Sequence, residues 1–266
     1  MIINGSIIKE AVLEELAARP QETQLRVCFV QFGQDAASTK FVGMKMAVAK
    51  TLGIYAEHVH SDAANTIDAL AVLQEAIDAD YDGIVVQLPV PEGIDATTLV
   101  NILPVEKDID VLSTAALMAF ATGSSGRMPP VAAAAELILT IYKVSLDNKK
   151  IVIRGKGKLV GETVMMLLDS KGVSYIAIDI NTPEEEQLAL LKEADVIVSG
   201  IGVPHSLTPD MVKEGVVLID AGTSEQTGKL VGDIDPACAE KASLYTPVPG
   251  GVGPITVACL FRNLFL

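Results

Sequence analysis

The first half of the chain alternates between apolar runs and segments of helical periodicity. Three continuous apolar runs are typical of buried strands, at residues 25–33, 54–59 and 82–91. Between them, segments 36–53 and 65–79 repeat their apolar residues at helical spacing, so we predict helices there. The first is expected to end at Gly53, and the second to begin with Asn65 as its N-cap. This β-α-β-α-β order indicates a parallel sheet covered by helices.

The second half repeats this pattern after a break. Residues 121–130 are rich in Gly, Ser and Pro, as expected of a linker, and residues 131–144 predict a long apolar helix. Four strand-like runs follow, at residues 151–154, 174–179, 195–200 and 216–222. The predicted fold class is α/β, with two domains that each contain a parallel sheet. The first spans residues 1–130 and is completed by 246–266, and the second, residues 131–245, is Rossmann-like.

Composition limits the classes of function. The length of 266 residues suits two domains, and a 50% hydrophobic content with 4% aromatics and no Trp predicts aliphatic cores. The net charge of −14 argues against binding to nucleic acids or anionic membranes. An anionic substrate would therefore have to be attracted by a few local cations and backbone amides.

Cysteine usage predicts a reducing compartment. Cys28, Cys238 and Cys259 are far apart, odd in number and without metal-ligand spacing, so we expect buried free thiols and no metal site. The first residues lack the pattern of a secretory signal, and no run of about 18 apolar residues occurs. The expected location is the cytoplasm.

A glycine-rich turn follows the strand at residues 151–154. Gly155, Gly157 and Gly161 form G-x-G-x-x-x-G, one residue longer than the usual dinucleotide fingerprint. Such a turn either lets a diphosphate approach the backbone and the next helix N-terminus, or is simply a structural turn. Asp179, at the end of the next strand, can bind a ribose 2′-hydroxyl and repel a 2′-phosphate, whereas Lys156 and Lys158 in the turn can attract a phosphate.

Polar side chains also lie on elements that are otherwise apolar. Ser38, Phe41, Lys45 and Val48 share one helical face. Lys45 either extends its ammonium to the edge of that face or is desolvated and ready to transfer a proton. Gln87, near the end of a strand, either orients a ligand or satisfies its own loop.

Two carboxylates lie close together after the third strand. Asp108 and Asp110 are separated by one residue. On local evidence they form a solvated edge, although one of them could point inward and hold an N–C–NH2 group.

Several longer segments together resemble the methylenetetrahydrofolate dehydrogenase/cyclohydrolase family. The most specific is TPVPGGVGPIT, followed by VACLFRNL, and a second is DGIVVQLPVPEGID. These three segments lie at residues 246–256, 257–264 and 82–95. The shorter matches are KDID at 107–110, LVG at 159–161 and KLVGDID at 229–235, and all six occur in the same order along the chain as in the family.

The resemblance implies a folate-binding first domain, a dinucleotide-binding second domain and an active site in the cleft between them. Lys45 matches the catalytic lysine, Gln87 its supporting glutamine and Asp110 the pterin-binding aspartate. The implied substrate-binding residues are Ser38, Phe41, Leu88, Pro89, Pro249, Gly250, Gly251 and Pro254. The implied cofactor-binding residues are Gly155, Lys156, Gly157, Val160, Gly161, Asp179, Gly200 and Gly222.

The implied reactions are two. Hydride leaves 5,10-methylenetetrahydrofolate for NADP, or alternatively NAD, and water then converts the methenyl cation into 10-formyltetrahydrofolate. The hydrolysis needs proton transfer, which suits Lys45. The resemblance also implies a homodimer.

The chain departs from the family pattern at several positions. Phe41 stands where a tyrosine is usual, and Val111 stands where a glycine follows the second aspartate. Residues 129–132 replace the usual Pro-Cys-Thr-Pro, and Lys156 and Gly157 replace the usual Arg-Ser. Three hypotheses therefore stand beside each other: a bifunctional enzyme, a monofunctional NAD-preferring dehydrogenase, and a folate- or nucleotide-binding protein without catalysis.

Overall fold

The computed structural model describes residues 1–266 and divides into two compact units. The first unit comprises Ala11–Pro130 and Val257–Leu266, and the second unit comprises Met1–Glu10 and Val131–Thr256. None of the helices is both long and apolar enough to cross a membrane.

A three-stranded parallel sheet with the order β2-β1-β3 forms the centre of the first unit. Its strands are β1 (Arg26–Phe32), β2 (Tyr55–Ser61) and β3 (Gly83–Gln87). The central strand β1 is buried from its second residue onward, which explains its continuous apolar run. The parallel register pairs Gln31 with Gln87 at the carboxyl ends of β1 and β3.

Helices connect these strands, as the periodicity predicted. The helix α1 (Gly5–Ala17) precedes the sheet, and the others are α2 (Ala36–Thr51), α3 (Thr66–Asp78), α4 (Ala96–Val100) and α5 (Thr114–Ala121). Asn65 is the N-cap of α3, since its side chain accepts a 3.0 Å hydrogen bond from the Asp68 amide. After α2, Gly53 adopts a positive φ of 69°, a conformation that favours glycine.

The third strand is shorter than predicted. It ends at Gln87, whereas the apolar run continues to Pro91. Pro89 and Pro91 have no backbone N–H with which to extend the ladder, so the run changes from strand to loop.

The second unit contains a five-stranded parallel sheet with the order β10-β7-β6-β4-β5. Its strands are β4 (Ile151–Arg154), β5 (Ile176–Ile178), β6 (Val196–Ser199), β7 (Val217–Asp220) and β10 (Leu244–Tyr245). The helices are α6 (Pro130–Ile141), α7 (Gly161–Ser170) and α8 (Glu184–Glu193). The final helix, α9 (Val252–Leu264), begins in this unit and belongs to the first unit from Val257 onward. The chain leaves β4 for β5 on one side, while β6 lies on the other, so β4 and β6 flank the switch point where α/β folds bind ligands.

Two features of the second unit were not predicted. An antiparallel hairpin, separate from the five-stranded sheet, joins β8 (Ser224–Gln226) to β9 (Lys229–Val231), and none of its strand residues is buried. Their polar residues lack the apolar run that indicates a buried strand. The two-residue strand β10 is too short to leave a pattern.

The chain ends pair with each other in the second unit. The Ile3 amide donates to the Tyr245 carbonyl at 3.0 Å, and the Gly5 amide donates to the Gly250 carbonyl at 2.8 Å. Residues 1–10 and 246–256 therefore belong to the second unit, whereas the sequence assigned them to the first domain.

Candidate functional site

Lys45 and Gln87 meet in the first unit. The Lys45 ammonium on α2 donates a 3.0 Å hydrogen bond to Oε1 of Gln87, the last residue of β3. Nε2 of Gln87 donates to the carbonyl of Leu88 at 2.6 Å. Gln87 is 7% exposed. This one buried amide therefore both accepts a hydrogen bond from the lysine and donates one to the loop that follows it. The hydrogen bond directs the ammonium inward to β3, not to the free edge of the helix.

Lys45 and Asp110 form an electrostatic pair. Burial lowers the pKa of Lys45, and the negative charge of Asp110 opposes that shift. Burial raises the pKa of Asp110, while Lys45 opposes this shift and Asp108 adds to it. Burial thus favours the neutral form of both groups, which is the direction of shift that suits a proton-transfer site.

Asp108 shapes the turn that carries Asp110. It is fully buried, and its carboxylate accepts hydrogen bonds from the amides of Leu112 at 3.1 Å and Ser113 at 2.8 Å. The prediction of a solvated edge is therefore wrong for Asp108. Val111 in this turn has a positive φ of 52°, which is strained for a β-branched residue. The glycine that is usual at this position would be free of that strain.

Polar atoms without partners lie beside the start of α2. Ser38 is 1% exposed, and its hydroxyl has no hydrogen-bond partner. Gln31, which the sequence analysis missed, is fully buried and donates from Nε2 to the Thr39 hydroxyl at 2.9 Å, while its Oε1 has no partner. Its one signal in the sequence is a lone amide within an apolar strand.

The glycine turn of the second unit leaves room for a phosphate. Gly155 has a φ of 99°, and a Cβ at Gly161 would lie 1.9 Å from the Gly155 carbonyl oxygen. No atom lies within 4 Å of a Cβ built at the exposed Gly157. Val160, the N-cap residue of α7, provides no side-chain cap. The Glu162 amide donates to the Gly157 carbonyl at 3.0 Å, so the anion site at this helix N-terminus consists of the other first-turn amides. The residues present therefore fit a dinucleotide diphosphate.

Lys156 and Asp179 are ion-paired beside this turn. Nζ of Lys156 lies 3.0 Å from Oδ2 of Asp179, which directly follows β5. The hydrogen bond from Lys156 is the main cause that lowers the pKa of Asp179. Asp179 is thus an ionised carboxylate at neutral pH, and the two opposing cofactor signals in the sequence contact each other.

Comparison with known proteins identifies both parts of the chain. Residues 3–110 match the family model described as tetrahydrofolate dehydrogenase/cyclohydrolase, catalytic domain, and residues 129–266 match that of the same family's NAD(P)-binding domain. The chain belongs to the tetrahydrofolate dehydrogenase/cyclohydrolase family. It is therefore an enzyme of one-carbon folate metabolism, both an oxidoreductase and a hydrolase.

Individual members of this family resemble the whole chain. The bifunctional protein FolD of Mycoplasmopsis synoviae is 33% identical, with 99% of this chain and 98% of that protein covered. The crystal structure of the bifunctional FolD enzyme of Campylobacter jejuni gives a TM-score of 0.91 at 29% identity, covering 99% of this chain and 96% of that one. The Trypanosoma brucei FolD structure, complexed with NADP and an inhibitor, gives 0.91 at 25% identity, covering 100% and 96%. These matches confirm the predicted family and the α/β fold class.

The remaining residues that the family resemblance singled out lie in loops or at the start of a helix. Leu88 and Pro89 follow Gln87 in the first unit, whereas Pro249, Gly250 and Gly251 lie in the turn before α9, and Pro254 lies in the first turn of that helix. Gly250 in that turn has a φ of 101°, and a Cβ at Gly251 would lie 2.5 Å from the Pro247 carbonyl oxygen. Glycine is therefore sterically required there.

Gly200 and Gly222 follow β6 and β7 at the carboxyl edge of the second sheet. A Cβ at Gly222 would lie 2.2 Å from Cγ of Asp233, a buried carboxylate that the sequence analysis quoted only within KLVGDID. A second buried carboxylate, Asp220, ends β7, and burial raises its pKa to about 7 against the effect of its backbone hydrogen bonds.

Proposed function

We propose that Lys45, Gln87 and Asp110 carry the folate chemistry of this enzyme, and that NADP is its dinucleotide. The substrate is 5,10-methylenetetrahydrofolate, and the products are 5,10-methenyltetrahydrofolate and then 10-formyltetrahydrofolate. The 3.0 Å hydrogen bond between Lys45 and Gln87 is the observation that carries this assignment. It fixes the amine of a lysine whose pKa burial lowers, which is the property that a proton-transfer group needs.

In the oxidation, the residues of the chain mainly position the reactants. The bound nicotinamide supplies the hydride acceptor. Its diphosphate would be held by the backbone of Gly155, Gly157 and Gly161 together with the N-terminus of α7. Val160, Gly200 and Gly222 complete the surface against which the dinucleotide would lie. Val160 and Gly200 are adjacent in this surface, because a Cβ at Gly200 would clash with the Val160 side chain.

In the hydrolysis, Lys45 transfers the proton. A water oxygen bonds to the methenyl carbon and gives one proton to the neutral Lys45 amine. The C–N5 bond then breaks as the new hydroxyl becomes a carbonyl, and N5 takes up a proton. One proton is released overall. Gln87 holds the Lys45 nitrogen in place throughout.

The other folate contacts in this proposal rest on the family resemblance. Asp110 accepts hydrogen bonds from the N–C–NH2 edge of the pterin, and its electrostatic interaction with Lys45 supports its assignment to the same site. The further substrate contacts come from the residues that the family resemblance singled out, Ser38, Phe41, Leu88, Pro89, Pro249, Gly250, Gly251 and Pro254.

The choice of dinucleotide depends on Lys156 and Asp179. Lys156 provides the positive charge for a 2′-phosphate, and the NADP complex of the related Trypanosoma brucei enzyme supports NADP. A monofunctional, NAD-preferring dehydrogenase is the second candidate. Asp179 favours it because a carboxylate repels a 2′-phosphate, and Phe41 favours it because a phenyl ring cannot join a proton relay.

Assembly and location complete the proposal. The enzyme acts as a homodimer in the cytoplasm, without a nucleic acid or membrane partner. Family resemblance supports the dimer, and the net charge of −14 disfavours polyanions as partners. All three cysteines are buried and free, which agrees with a reducing compartment.

The test measures both half-reactions on purified protein. Dehydrogenation is followed with NADP and with NAD, and hydrolysis is followed as loss of methenyltetrahydrofolate without dinucleotide. Lys45→Met should lower the hydrolysis rate about 100-fold or more, the range of general acid–base catalysis, and should affect dehydrogenation less. Lys50→Met, which removes an exposed lysine of the same helix, is the control.

Three results would each contradict a part of this proposal. Dehydrogenation without hydrolysis in the wild-type enzyme would favour the NAD-preferring dehydrogenase. Equal losses of hydrolysis rate in Lys45→Met and Lys50→Met would show that Lys45 does not transfer the proton. Folate binding without either reaction would leave a binding protein.

A further inference from the structure

A buried carboxylate holds the segment that follows β6. Asp233 is fully buried, and its Oδ2 accepts hydrogen bonds from the Ser199 hydroxyl at 2.8 Å and the Ile201 amide at 2.7 Å. Its Oδ1 accepts from the Val203 amide at 2.9 Å. One carboxylate thus fixes residues 199–203 at three points.

The opposite side of this segment is held from β4. Nη1 of Arg154 donates to the Ser206 hydroxyl at 2.8 Å, and that hydroxyl donates to the Val203 carbonyl at 2.7 Å. Arg154 is the last residue of β4 and directly precedes Gly155. The segment is therefore held between Asp233 and the strand that leads into the glycine turn.

The held segment packs directly against the glycine turn. A Cβ at Gly155 would lie 2.7 Å from the side chain of Ile201, and a Cβ at Gly200 would lie 2.4 Å from Cβ of Val160. A shift of residues 200–201 would therefore displace the turn or open a gap beside it. Because β4 and β6 flank the switch point of the sheet, this contact lies where a dinucleotide is expected.

A second carboxylate fixes the backbone of Asp233. Oδ1 of Asp220 accepts from the amides of Gly222 at 3.1 Å and Asp233 at 3.2 Å, and its Oδ2 accepts from the Ile234 amide at 2.9 Å. Asp220 thus fixes the backbone at Asp233, while the Asp233 side chain fixes residues 199–203.

We propose that Asp233 is a positioning residue of the dinucleotide site, acting through residues 199–203 on the glycine turn. This inference rests on the proposed function of the second unit. A carboxylate suits the position because three donors converge on its two oxygens. An asparagine has one acceptor oxygen, and its NH2 group would face one of the donors.

The test compares Asp233→Asn with the matched control Asp235→Asn. Asp235, two residues away, caps a short 3-10 turn through the Ala237 amide, so its replacement by Asn removes a carboxylate from the same region and keeps the capping acceptor. We measure the Kd for NADP by titration calorimetry, the KM and kcat of dehydrogenation, the melting temperature, and dinucleotide-independent hydrolysis. Ser199→Ala serves as a second variant that keeps the carboxylate and removes one donor.

We expect Asp233→Asn to raise the Kd and KM for NADP about tenfold or more, the range for losing a hydrogen bond to a charged group. Ser199→Ala should change both in the same direction by a smaller factor, and Asp235→Asn should leave them unchanged. Hydrolysis should stay at the wild-type rate in all three. If Asp233→Asn does not fold, a raised Kd in Ser199→Ala supports the proposal, and an unchanged Kd contradicts it.

Other outcomes separate this inference from the proposed function. An unchanged Kd in Asp233→Asn, or equal losses in Asp233→Asn and Asp235→Asn, would overturn the role of Asp233. Absence of hydrolysis in the wild-type enzyme would count against the proposed function, whereas direct NADP binding would still decide the role of Asp233.

Discussion

Nζ of Lys45 lies 3.0 Å from Oε1 of Gln87, although 42 residues separate them in the sequence. The contact joins the middle of α2 to the carboxyl end of β3. Gln87 contributes an uncharged acceptor, so it fixes the lysine nitrogen without stabilising the ammonium as strongly as a carboxylate would. The neutral amine required for hydrolysis is therefore preserved.

This relationship predicts the pH dependence of hydrolysis. Burial lowers the pKa of Lys45. The hydrolysis rate should therefore rise with pH as the ammonium loses its proton, and the midpoint of this rising limb of the pH–rate profile should lie below the ordinary lysine pKa of 10.5. Gln87→Glu places a negative charge beside the ammonium, which raises its pKa and moves the limb to higher pH. At pH 7 the rate should fall about tenfold or more.

Gln87→Met is the control for this experiment, because it removes the acceptor oxygen without adding charge. Its hydrolysis rate should fall while the limb does not move to higher pH. A limb at the same pH in Gln87→Glu and wild type would show that Lys45 is not the titrating group.

Val111 gives a prediction about stability. It is 1% exposed and has a φ of 52°, so Val111→Gly loses buried surface but also relieves strain of about 1–2 kcal/mol. Val86 is equally buried, within β3, and has no such strain. Val111→Gly should therefore reduce the free energy of unfolding by about 1–2 kcal/mol less than Val86→Gly does, as measured by urea denaturation. Equal reductions would show that the valine is not strained.

The sequence predicted the layers of the fold because buried parallel strands leave continuous apolar runs. It predicted β1 and α2 closely, and it placed the N-cap Asn65 correctly. It extended β3 beyond Gln87 because hydrophobicity alone does not distinguish a strand from a proline-rich loop. It missed the hairpin of β8 and β9 because short exposed strands need no apolar pattern.

The candidate site was less predictable from local pattern. Periodicity showed that Lys45 lies on an apolar face, but the contact with Gln87 depends on the pairing of β1 with β3 and on how α2 packs. Asp108 looked like a solvated residue, since nothing in its neighbours shows that it accepts amides within a turn. The roles of Asp110 and of residues 249–254 came from family resemblance alone.

Phe41 tests how far the proton relay depends on a hydroxyl. It lies four residues before Lys45 and shares its helical face, so a hydroxyl added there can reach the lysine or its water. We expect Phe41→Tyr to raise the hydrolysis rate several-fold and to leave dehydrogenation unchanged, in assays of both half-reactions. Phe41→Leu keeps the position apolar and should not raise hydrolysis. If hydrolysis in Phe41→Tyr stays at the wild-type rate, the enzyme completes the relay without this position.

The ion pair between Lys156 and Asp179 predicts how the dinucleotide preference can be changed. Asp179 is ionised at neutral pH because Lys156 lowers its pKa, so its charge opposes a 2′-phosphate while Lys156 attracts one. Asp179→Asn should raise the ratio of kcat/KM with NADP to kcat/KM with NAD about tenfold, and Lys156→Ala should lower it by a similar factor.

Lys192→Ala, which removes an exposed lysine of α8, controls for the general effect of losing a positive charge and should leave this ratio unchanged. A change in the same direction for Asp179→Asn and Lys156→Ala would show that the two residues act only as a pair that stabilises the turn. Opposite changes would show that each contacts the ribose end of the dinucleotide. In that case the preference for NADP or NAD depends on whether the 2′-group of the dinucleotide lies closer to Lys156 or to Asp179.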